Sequence, residues 1–115
     1  MTLKELTAAI ESVSVRYAQR YGIKRDIDWC MLKLTEELGE LRRVHLKRSG
    51  QARVSTTERT GLDRAFEDEL ADVLGQLLVL ASRSNVDLDA ALDRKWLRWH
   101  PSRLGDEAYR DQTAA

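Results

Sequence analysis

Apolar residues recur along this chain at intervals of three and four. Leu3, Leu6, Ile10, Val13, Tyr17 and Tyr21 draw one stripe along a first helix. Gly22 follows the last of them, where a left-handed cap can end a helix without Cβ strain. Asp26 or Asp28 then offers a carboxylate to the free amides of a second helix, whose inward face is Trp29, Leu32, Leu34, Leu38, Leu41 and Val44. That helix runs out near Arg48-Ser49-Gly50, and the polar stretch from Ser49 to Gly61 reads as a loop. A third helix starts at Leu62 or Asp63 and is apolar over much of its surface from Leu70 to Ala81, the mark of a buried element. Ser84-Asn85 breaks it, and Asp87 caps a fourth helix. The inward positions there are Leu88, Ala91, Leu92, the stem of Lys95 and Trp96, and Pro101 bars further helix. The pattern predicts an all-α, four-helix bundle over residues 1–104 and a polar, disordered tail over 105–115. The third helix is too apolar for so thin a layer. A second subunit is therefore expected to cover it, completing the bundle as a homodimer or homotetramer.

A length of 115 residues fits one domain. Nineteen Lys and Arg balance nineteen Asp and Glu. No global field favours nucleic acid or an anionic membrane, and neither is expected as a partner. The longest apolar run, Leu77 to Ala81, is far too short to span a bilayer. The opening residues mix acids into their apolar positions, unlike a secretory signal. The single cysteine, Cys30, allows no internal disulfide and suits a reducing compartment, so a cytoplasmic location is expected, with Cys30 as buried packing.

The chemistry is concentrated in acids. The second helix carries Glu36, Glu37 and Glu40 among leucines, and the third carries Glu69 and Asp72. Glu37 with Glu40, and Glu69 with Asp72, are spaced i, i+3, which puts the side-chain roots of each pair about 5–6 Å apart on one face. If two antiparallel helices turn those faces together, four carboxylates converge. Two like charges about 5 Å apart repel by roughly 3 kcal/mol at an effective dielectric near 20. Such a cluster needs protons or a cation, whereas unconverged acids are simply a solvated face. Magnesium, a hard ion that prefers oxygen, suits carboxylates and phosphates. No Cys or His stands in the two acid-bearing motifs, which argues against zinc or copper.

The segments KLTEELGEL, DELADVLGQLLVLA and VDLDAALDRKW resemble the MazG-like family of all-α nucleoside triphosphate pyrophosphohydrolases, whose signature is EExxE followed by ExxD. The resemblance covers roughly Asp28 to Trp96. It implies magnesium-dependent cleavage between the α- and β-phosphates, giving a nucleoside monophosphate and pyrophosphate, with manganese as a substitute ion. The substrate would be a canonical or damaged nucleoside triphosphate removed in a house-cleaning role, and the assembly a dimer or a dimer of dimers. By matching position, Glu37, Glu40, Glu69 and Asp72 would be metal ligands, and Glu36 a further candidate base beside Glu37. Val79 and Trp99 stand where many members carry asparagines that contact the nucleotide, which leaves substrate identity open. Phosphoribosyl-ATP pyrophosphohydrolase activity and a non-catalytic nucleotide-binding module are the alternatives.

Phosphate charge needs positive partners. Lys95 is the first candidate and Arg98 the second, each against a snorkelling role on an amphipathic helix. Gln76, one turn beyond Asp72, could touch base or sugar, or be satisfied by the facing helix. Lys33, one turn before Glu37, could pair with that glutamate or reach a phosphate. The basic run Arg42 to Arg53 reads as a solvated helix end, with phosphate contact through Arg48 or Arg53 as the alternative. Trp29, Trp96 and Trp99 read as core or interface anchors.

Overall fold

A computed structural model describes residues 1–103, and the expected tail lies outside the described residues. Described residues form helices and turns with no strand. The elements are α1 (Leu3–Tyr21), α2 (Ile27–Arg48), a short α3 (Thr56–Thr60), α4 (Leu62–Arg83), α5 (Leu88–Lys95) and a 3₁₀ turn (Leu97–Trp99).

Local side-chain chemistry sets most of these limits. Thr2 caps α1 by accepting from the Glu5 amide at 3.1 Å. Gly22 ends that helix at φ 64°, a left-handed conformation that glycine takes without strain. Asp26, rather than Asp28, caps α2 through the Trp29 amide at 2.8 Å. Asp87 caps α5 through the Ala90 amide at 3.1 Å. The expected loop from Ser49 to Gly61 contains α3 instead. Ser55 accepts from the Glu58 amide at 3.0 Å, the Ser-x-x-Glu arrangement that opens a helix even in a polar stretch. Residues 101–103 are helical, so Pro101 begins a turn rather than barring one; its fixed φ and missing N–H suit the first helical position.

The long helices α2 and α4 lie antiparallel and pack along their lengths. At one end Arg48 Nε donates to Asp63 at 2.8 Å and Lys47 pairs with Glu58 at 3.0 Å. At the other, Ile27 and Met31 share an apolar hollow with Leu77, Leu80 and Ala81. α1 packs against α4. Arg25 fastens α1 to the chain entering α2: its guanidinium reaches Glu11 at 2.5 Å and Ser14 at 3.2 Å, and its carbonyl accepts from Arg83 Nε at 2.9 Å.

The fully buried apolar set is small: Ala18, Cys30, Leu62, Leu78, Val79 and Ala81. Cys30 is completely enclosed, as expected of a packing residue. Much of the predicted apolar face is open instead. Val13, Tyr17 and Tyr21 on α1, Leu32 and Leu38 on α2, and Leu70, Leu74 and Leu77 on α4 are all exposed. Of the inward positions expected on the fourth helix, now α5, Leu88 and Ala91 are half-buried, whereas Leu92 and Lys95 are exposed and Trp96, just past the helix end, is 71% exposed. α5 makes its main contacts with the following 3₁₀ turn and fewer with α1, so only the start of its apolar side, at Leu88 and Ala91, is covered.

Candidate metal centre and adjoining cleft

α2 and α4 bring together Glu37, Glu69 and Asp72, each offering a carboxylate oxygen within 4.8 Å of the others. Glu37 and Glu69 are half-buried and Asp72 is exposed. The ExxD spacing on α4 aligns its two acids, and the antiparallel register sets Glu37 opposite them. Glu69 Oε2 is buried with no hydrogen-bond partner. Burial, then the charges of Asp72, Glu37 and Glu40, hold the Glu69 carboxyl above the usual carboxylate range. An all-oxygen set with an unsatisfied buried member could hold a hard divalent cation.

The other acids of the motif are placed differently. Glu40, expected among the ligands, is bonded to Arg43 and stands outside the group of three, although its charge still reaches Glu69. Glu36 is one residue from Glu37 and so about 100° around the helix. It is exposed and pairs with Lys33 at 2.9 Å. That bond to Glu36 holds the Lys33 ammonium above its ordinary pKa against the opposing effect of burial. The Lys33 partner is thus Glu36 rather than Glu37.

The carboxylates open onto a cleft of about 480 Å³ between α1, α2 and α4. Glu37, Asp72, Lys33 and Gln76 line it, together with Trp29 and Tyr17. Val79 also forms part of this wall, so an apolar side chain stands there. Gln76 is not satisfied by the facing helix: its Oε1 is buried without a partner. Lys95 and Arg98 do not line this cleft. Lys95 is exposed on α5, and the Arg98 guanidinium lies 4.2 Å over the Trp99 ring. The basic run is largely paired within the chain, Arg43 with Glu40, Lys47 with Glu58 and Arg48 with Asp63. The apolar spacing of Tyr17 and Trp29 predicts packing, whereas both line this cleft. Aromatic side chains at i, i+4 steps from polar ones are a weak signal of a cleft, and which helix they face is not written in the spacing.

No family model matches the chain. No solved structure matches it. It is 33% identical over 93 residues to the uncharacterized protein YpjD of Bacillus subtilis (strain 168), covering 81% of this chain and 78% of the relative. The chain belongs to the YpjD family. An aligned stretch of that length in a chain of 115 residues cannot avoid α2 and α4, so this kinship takes in the helices that carry the carboxylates. Among the described residues no helix is long and apolar enough to cross a membrane.

Proposed function

We propose that this YpjD-family chain is a magnesium-dependent nucleoside triphosphate pyrophosphohydrolase of the MazG-like type, cleaving between the α- and β-phosphates. The observation that carries the reading is the meeting of Glu37, Glu69 and Asp72 beside a cleft, with one buried acid oxygen left unsatisfied. These three residues would hold the ion, and a manganese ion fits the same donors. When bound, the ion supplies neutralisation of phosphate charge and a more acidic water. Burial and the neighbouring acids raise the Glu69 pKa, and a cation bound among them would offset that repulsion and favour its carboxylate form. Glu37 belongs to both the acid group and the cleft wall, and on this reading it takes the proton of the attacking water. Lys33 presents positive charge to the same cleft, where the leaving phosphates develop negative charge. Glu36 then orients Lys33 rather than acting as a base.

The same reading includes a second copy of the chain. Leu38 of α2 and Leu70, Leu74 and Leu77 of α4 are exposed on long helices with a minimal core beneath, and association is the ordinary way to remove such a stripe from water. A homodimer or homotetramer completing the bundle would do so.

The test is a screen of nucleoside triphosphates with magnesium, read by release of pyrophosphate rather than phosphate. Turnover that disappears in Glu37→Gln and Asp72→Asn, with folding retained, is the expected result. Nucleotide binding without pyrophosphate would replace the reading by the non-catalytic module. Turnover confined to phosphoribosyl-ATP would move the activity to histidine synthesis.

A further inference from the structure

We infer that α1 is a hinged wall of the cleft, held shut at one point by Arg25, and that it opens as a unit while α2 and α4 stay packed.

Ile10, Val13, Ser14 and Tyr17 of α1 form one side of the cleft, and Trp29, Lys33 and Glu37 of α2 form another. The cleft keeps these two helices apart, so α1 packs along α4 and barely touches α2. Little apolar surface secures it there. Ala18 is the one buried residue of α1, and Val13, Tyr17 and Tyr21 are exposed. A helix with so few buried apolar groups detaches at a smaller free energy than the whole fold unfolds.

Polar attachment is just as narrow. Among the described residues, and apart from the Thr2 cap, every side-chain hydrogen bond or ion pair between α1 and the rest of the chain involves Arg25. Its almost wholly buried guanidinium donates to Glu11 at 2.5 Å and to Ser14 at 3.2 Å. Arg25 itself belongs to the other body. Its carbonyl accepts from Arg83 of α4 at 2.9 Å, and the next residue, Asp26, caps α2. Gly22, Ile23 and Lys24 are left between α1 and this anchor, with Gly22 at φ 64°, and short segments at helix ends are where hinge rotations are absorbed. The latch is also incomplete. Glu11 Oε2 is buried without a partner, so opening returns an unsatisfied oxygen to water and offsets part of the lost ion pair. Cys30 lies at this junction. It is fully enclosed, and the charges of Arg25, Arg83 and Glu11 all reach its thiol, which is uncovered when α1 leaves.

The experiment is native-state hydrogen exchange of the full chain across a urea series below the unfolding transition, with Cys30 labelled in parallel by an aromatic disulfide. The amides of α1 and the Cys30 thiol should open with one shared equilibrium constant. That constant should be larger than the one for α2 and α4 and much less dependent on urea, because a local opening exposes less surface. Arg25→Met should raise it about five- to a hundredfold. Arg48→Met, which breaks the pair with Asp63 at the far end of α2, should leave it within about twofold of wild type. If the α1 amides and Cys30 exchange only with the urea dependence of global unfolding, α1 does not open on its own and the inference is overturned. That wild-type result decides even where Arg25→Met fails to fold. An opening constant for Arg25→Met within about twofold of wild type would remove Arg25 as the latch. Cys30 labelling that keeps the global urea dependence while the α1 amides open locally would do the same, because the junction then stays shut.

Discussion

Glu69→Gln should make the metal-free protein more stable while abolishing its response to magnesium. The substitution keeps the shape of a half-buried side chain and removes a charge. Its partners Glu37 and Asp72 have oxygens within 4.8 Å. At that separation a pair of unit charges repels by about 3.5 kcal/mol at an effective dielectric of 20 and by about 0.9 kcal/mol in bulk water. Asp72 is exposed, so its share lies toward the lower figure, and exposed charges are screened further. The net gain from Glu69→Gln is then about 1–2 kcal/mol, a rise in melting temperature of several degrees for a domain of this size (roughly 4–8 °C per kcal/mol). The sign against pH follows from the raised Glu69 pKa. A carboxyl whose folded pKa exceeds its unfolded value stabilises the fold fully below the unfolded pKa, and that stability is lost as pH rises through the folded pKa. The gap between variant and wild type should therefore be widest near pH 8 and shrink as the pH falls toward the ordinary glutamate range. Magnesium reverses the comparison: at about 100 times its dissociation constant it would add about 2.7 kcal/mol to wild type and much less to the variant. The assay is thermal melting by circular dichroism at several pH values, with chelator and with magnesium. A Glu69→Gln protein that melts below wild type in chelator at pH 8 would show that the acids do not repel as argued.

Other outcomes follow from the same packing. Arg25, with only 9% of its side chain accessible, faces Glu11 at 2.5 Å. Arg25→Met should cost about 1–3 kcal/mol in urea unfolding by leaving the half-buried Glu11 unpaired, and adding Glu11→Leu should restore much of it; a single-variant loss under about 0.5 kcal/mol would make the pair unimportant. Leu74→Glu puts a charge in the middle of the open stripe on α4, so light scattering should report dissociation to monomers, and a wild-type protein already monomeric at micromolar concentration would remove the basis for a partner subunit. Cys30 is fully enclosed, and burial pushes its thiol pKa up despite the Arg25 and Arg83 charges. Aromatic-disulfide labelling at pH 8 should therefore be slow in the native state and fast in denaturant, and prompt native labelling would contradict that enclosure.

The extents of α1, α2, α4 and α5 were readable from residues within a turn of each boundary, because capping and 3.6-residue periodicity are local. Thr2, Asp26 and Asp87 bond to amides three residues on, and Gly22 needs no distant partner. Ser55 and Glu58 carried that kind of signal for α3 and were outweighed by the polar composition around them. The pairing of ExxE with ExxD was likewise visible as two aligned rows of acids. What spacing left open is which members converge. Glu36, Glu37 and Glu40 differ only by rotation about α2, and their fates depend on how that helix is turned against α4 and on which cation each meets first. Lys33 takes Glu36 and Arg43 takes Glu40, leaving Glu37 to Glu69 and Asp72. An apolar stripe on α5 predicts an inward Lys95 and Trp96, yet a stripe names a face and not the surface that covers it, and in this chain that face is covered at Leu88 and Ala91 and open from Leu92 onward. The unsatisfied oxygens of Glu69 and Gln76 belong to the same class of fact. A side chain becomes buried and unpartnered only through the helices that close around it, and those are brought near by contacts far apart in the chain.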